Sequence, residues 1–159
     1  MAATAPQSQS QPPPAEPLLG RNVLVAFDGS RGARHALACG ASLSRGAHGR
    51  LTLLTVVPHP PTPAPGVVGA YDPRCIERGM VAELRGAAET VPDDIPVTTL
   101  VAHGHAPAEI LRRVKQGCYD VLVLGFEGHG PMKGAWAGVC KRVMFHCPVP
   151  VLVVHAPDQ

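Results

Sequence analysis

The chain has 159 residues, 45% of them hydrophobic and 16% charged, with a formal net charge of +2. That length suits one domain with a real core and not two. The basic residues are scattered instead of forming a block that could follow a phosphate backbone, and no segment approaches the roughly 20 apolar residues needed to span a bilayer, so neither nucleic acid nor a membrane is an expected partner.

Residues 1–20 are mostly Pro, Gln, Ser and Ala with little to bury, and they read as a disordered tail ahead of a domain over 21–156. The first residues carry no basic residue before Arg21 and no long apolar stretch, which is not the pattern of a secretory signal. The domain begins with NVLVAF at 22–27, a short apolar run that predicts a strand and ends in Asp28-Gly29-Ser30. Ser30 suits the N-cap of a helix in which Ala33, Ala36, Leu37, Gly40 and Leu43 share one face. LTLLTVV at 51–57 is a second strand, followed by PHPPTPAPG, which belongs in neither helix nor sheet interior and reads as a crossover linker or a lid. Helical spacing resumes over 74–89, and PVTTLVA at 96–102 is the third strand.

Pro107 suits the first position of another helix, with Glu109 in its positive first turn, Ile110, Leu111 and Val114 facing inward, and Gly117 ending it. DVLVLG at 120–125 holds four consecutive apolar residues, as in a strand covered on both faces. A glycine-rich loop follows, then a short helix near 139–146 and a last strand in VPVLVV at 149–154, where Pro150 points to the edge of a sheet. Five strands alternating with four helices give an α/β domain with a mainly parallel sheet and helices on both faces.

The loop GFEGHGPMKGAWAGV spans 125–139. Glycines let a backbone approach a ligand closely, so that successive N–H groups converge on anionic oxygens. The P-loop pattern fails because Lys133 precedes Gly134, and the nearest G-x-G-x-x-G has Lys133 where its third glycine belongs. Five cysteines (39, 75, 118, 140 and 147) lack C-x-x-C spacing and read as reduced thiols, which places the chain in the cytoplasm. Cys147 reads as a structural thiol. His103, His105 and His129 read as ordinary loop histidines, with no metal site expected.

The strand ending in Asp28, the segment GHAPAEILRRVKQGCYDVLVLG and the C-terminal glycine pattern with CPVPVLVV together resemble the universal stress protein family over about 21–156. The resemblance implies a strand order 3-2-1-4-5, the adenine nucleotide alpha hydrolase-like arrangement, with a ligand crevice where the order reverses between the first and fourth strands. ATP-binding members carry Gly-x2-Gly-x9-Gly followed by Ser or Thr. Gly125, Gly128 and Gly138 keep that spacing here, while the hydroxyl position holds Val139. Carried onto this chain, the implied nucleotide-binding residues are Ala26, Phe27, Asp28, Val56, Gly125, Gly128, His129, Gly138, Val139 and Cys140, with Asp28 on the adenosine side and the glycines on the phosphates, next to a helix beginning near Gly138.

Val139 removes a donor to a charged phosphate, a bond worth about 1.5–3 kcal/mol, or about ten- to a hundred-fold in ATP affinity. Glu127 adds a repelling carboxylate. Lys133, Lys141 and Arg142 are candidates to offset it, and Cys140 offers only a weak S–H donor. The expected function is therefore a stress-response protein that binds an adenine nucleotide weakly, AMP or ADP more readily than ATP. The alternatives are a nucleotide-free docking protein, with Asp28 capping its own turn and the glycines shaping a connection, and a slow ATP hydrolase, for which no base stands out. The resemblance also implies a homodimer through the last strand, from Val149 to Val154.

Overall fold

The computed structural model describes residues 19–59, 72–126 and 133–156, the side chains of 133–137 excepted. The elements run β1 (Asn22–Ala26), α1 (Arg31–Gly46), β2 (Arg50–Val57), α2 (Pro73–Glu89), β3 (Val97–His103), α3 (Ala106–Gln116), β4 (Val121–Phe126), α4 (Lys133–His146) and β5 (Val151–His155). All neighbouring strands pair in parallel, in the order β3-β2-β1-β4-β5. The sequence reading of strand count, order and class stands.

Alternation along the strands explains the layering. Val23 and Val25 point to the α1/α2 face, where they meet Ala36, Leu37 and Leu84. Leu24 and Ala26 point to the other, against Ile110 and Val114 of α3 and Val143 of α4. β1 and β4 are fully covered on both faces, so their sequences are unbroken aliphatic runs. Ser30 caps α1 by accepting from the Ala33 N–H at 3.1 Å.

Two glycines set how closely α1 lies on the sheet. A Cβ on Gly125, near the end of β4, would stand 2.1 Å from the Gly32 carbonyl carbon, and a Cβ on Gly32 would meet the Phe126 backbone at 3.0 Å. The first turn of α1 thus rests directly on the carboxyl end of β4.

At the opposite end of the sheet, Asp120 joins the starts of β1 and β4. Its carboxylate accepts from the backbone N–H groups of Gly20, Arg21 and Asn22 at 3.2, 2.9 and 3.1 Å. Its own N–H donates to the Asn22 carbonyl at 3.1 Å.

Two sequence expectations change. α4 starts at Lys133, so the helix predicted near 139–146 is longer by about a turn and a half at its amino end. The stretch Gly134-Ala-Trp-Ala-Gly138 contains nothing that forbids a helix, and its glycines weaken the pattern without stopping it. β5 opens at Val151, leaving Pro150 just outside it with its carbonyl accepting from the Leu122 N–H at 2.9 Å. The strand does lie at the sheet edge, as the proline suggested.

Candidate functional site

The order reverses between β1 and β4, and the carboxyl ends of these strands bring several of the sequence-predicted residues together. Ala26 and Phe27 are buried. The Phe27 N–H donates to the Leu54 carbonyl and its own carbonyl accepts from the Thr55 hydroxyl, each at 2.8 Å, so its backbone groups already have partners within the protein. Asp28 follows, half-buried, with Oδ1 accepting from the Ser30 N–H at 3.0 Å. That bond closes the turn into α1, which makes Asp28 a turn former, while its other carboxylate oxygen has no bond to the turn. Gly29 adopts φ +82°, and the Glu83 carboxylate from α2 lies where its Cβ would be.

Beneath Asp28 a recess of about 20 Å³ is lined by Ala26, Phe27, Leu54, Val56 and Ala106. This is room for one water, far below the roughly 300 Å³ at which ligand pockets begin.

Across the crevice, Cys140 of α4 is buried and its thiol points to the Gly125 carbonyl at 3.9 Å. Burial, and secondarily the negative charge of Asp28, raise the thiol above its ordinary pKa. The thiol's contact with Gly125 places this part of α4 at the carboxyl end of β4, the strand beside β1. A thiol held protonated there is a weak donor and a poor nucleophile.

The glycines of the predicted phosphate loop do not share one role. Gly125 serves helix–strand packing. Gly138 is exposed with nothing within 4 Å of a Cβ, in the second turn of α4. The expectation that a helix begins near Gly138 is therefore corrected. The unpaired N–H groups at the start of α4 belong to its first residues, from Lys133, and not to Gly138, Val139 and Cys140. Val139 is half-buried and packs against the apolar core on the α3/α4 side. Gly128, His129 and Glu127 lie outside the described residues.

Of the histidines, His103 turns to Glu77 of α2 at 2.9 Å, and His59 lies beside Gly104 on the way to Glu109. Among the described residues no three His, Cys, Asp or Glu side chains are grouped to hold a metal ion. No helix there is long and apolar enough to cross a membrane. Sequence reasoning missed Gly32, Glu83 and Asp120. Gly32 was within reach, because a glycine in the first turn of a predicted helix signals a close approach.

A profile described as the universal stress protein family matches residues 20–155. The chain belongs to this family. The profile covers the whole sheet and all four helices. Among solved structures, a universal stress protein family member from Burkholderia pseudomallei is 24% identical with a TM-score of 0.65, over 89% of this chain and 98% of that one. A universal stress protein in complex with cAMP is 17% identical with a TM-score of 0.64, over 86% and 98%. The universal stress protein from Archaeoglobus fulgidus in complex with dAMP is 16% identical with a TM-score of 0.61, over 84% and 96%. At these identities the likeness is one of fold. No curated protein matches the sequence.

Proposed function

We propose that this universal stress protein is a stress-response protein that binds an adenine nucleotide weakly, AMP or ADP in preference to ATP, in the crevice between β1 and β4. The observation that carries the reading is that Asp28, just past β1, and the Gly125–Cys140 corner, at the end of β4, lie at the carboxyl ends of two paired strands where the order reverses, the place where α/β sheets of this kind hold ligands. Two relatives of the same fold are described with cAMP and dAMP, each bearing a single phosphate group. A site lacking a hydroxyl at Val139 and bordered by carboxylates at Asp28 and Glu83 disfavours a longer, more highly charged polyphosphate. A cytoplasmic setting goes with the reading, since none of the five cysteines is paired.

Isothermal titration of the full chain with AMP, ADP and ATP tests it. The expected order is AMP and ADP ahead of ATP, with Val139→Thr raising ATP affinity about tenfold. No measurable binding of AMP or ADP would refute the proposal, and wild-type ATP binding tighter than AMP would refute the preference.

A second reading, a nucleotide-free homodimer serving as a docking platform, is favoured by the small recess and by an apolar edge. Phe145 is 76% exposed and Met144 50%, near the end of α4, and Leu152 on β5 is 39% exposed. Such side chains beside an unpaired strand suit a symmetric contact. Light scattering at micromolar concentration is expected to give a dimer, and Phe145→Glu a monomer with unchanged circular dichroism. A monomeric wild type would remove the dimer.

A further inference from the structure

We propose that the trough between α1 and α2 docks an acidic, aliphatic segment of a partner protein. This surface lies on the helical layer opposite α3 and α4 and is independent of the nucleotide reading. On that opposite layer α3 and α4 pack directly against each other, whereas α1 and α2 touch little. The gap between them is a trough of about 450 Å³, floored by Leu37, Ala38 and Ala41 from α1 and by Ala87, Val91 and Ile95 from α2 and its following turn. These six are aliphatic, and Ser42, Thr90 and Pro92 complete the uncharged lining. Three of the six are alanines, at positions where larger side chains would close the gap.

The charge around the trough selects the occupant. α1 carries Arg31, Arg34, Arg45 and His35 and no acidic residue, so its solvent side has one sign. Arg34 and Arg45 stand at the rim, eleven residues apart on the helix, about 16 Å at 1.5 Å per residue. Arg45 is already held by Asp94, whose two carboxylate oxygens accept from Nε and from Nη2 at 3.0 and 2.9 Å. The Arg34 guanidinium has no side-chain partner among the described residues, and it lies where a second carboxylate could bind as Asp94 does. A segment that places aliphatic side chains on the floor and a carboxylate at Arg34 satisfies both features, in the manner of an amphipathic helix in a groove. A basic segment meets like charge, and a nucleic acid would use the arginines but leave the floor uncovered.

The test is an amide-resolved NMR titration of the isotope-labelled full chain with a short synthetic peptide of leucine and glutamate, spaced to place the leucines on one helical face. Saturable shifts are expected at Ala38, Ala41, Ala87 and Val91. Arg34→Glu should weaken binding at least about tenfold, and Ala38→Trp should abolish it by filling the trough. Both positions are exposed, and the spectra of the free variants report whether each is folded. Four results would overturn the proposal: no shifts in the trough, equal binding of the peptide with lysine for glutamate or with serine for leucine, unchanged affinity in folded Arg34→Glu, or tighter occupation of the same residues by single-stranded DNA.

Discussion

Replacing Gly125 by alanine should destabilise the fold by about 3 kcal/mol or more, read as a fall of roughly 10 °C in the thermal midpoint. The added methyl would stand 2.1 and 2.3 Å from the carbonyl carbon and oxygen of Gly32 and 2.4 Å from the Ala33 nitrogen. All three are backbone atoms of the first turn of α1, so no rotamer change relieves the overlap. The helix must lift from β4, and in lifting it strains the Asp28–Ser30 turn. Gly138 is the control. A methyl there meets nothing within 4 Å and lies in helix, so Gly138→Ala should stabilise by about 0.5–1 kcal/mol. Differential scanning calorimetry of both variants decides the matter. Equal behaviour of the two would show that the glycines share a single role and that the close contact of α1 with β4 is not real.

Asp120→Ala is expected to destabilise by about 2 kcal/mol, seen in urea unfolding as a lower midpoint with an unchanged slope. One carboxylate here receives three successive main-chain N–H groups, Gly20 to Asn22, and fixes where the first strand starts against the fourth. Removing it leaves three donors aimed at one point, and because the site is only half-buried, water meets part of their need. Asparagine should restore less than half of the loss, since its NH2 group presents donors to donors and the charge is gone. A wild-type midpoint for Asp120→Ala would mean that the strand starts are held by the sheet ladder alone.

The layout of the fold was legible because its signals are strong and local. Fully covered strands read as aliphatic runs in VLVA and VLVL, and Ser30 announces α1 with the cap bond that the structure contains. The start of α4 was not legible, since Lys133–His146 has only a weak apolar face and several small residues, so its periodicity fades toward the amino end. Tertiary roles were the hardest to read. Asp120 precedes a strand by one residue and resembles any turn aspartate, because its three partners lie about a hundred residues earlier in the chain. The family glycine pattern carries a single meaning in the sequence, whereas Gly125 packs against backbone and a Cβ on Gly138 meets nothing within 4 Å. Asp28 was weighed both as a ligand contact and as a turn former, and the bond to Ser30 establishes the second without removing the first.

The pairing of β1 with β4 also orders events during biosynthesis. Val23 meets Val121 only after about a hundred intervening residues have been made, so a growing polypeptide can assemble β1, β2 and β3 with their helices while one flank of the central strand still lacks its neighbour. Until β4 is made, that flank of β1 is a bare aliphatic margin on a half-built sheet. It is the same line along which the finished crevice later opens.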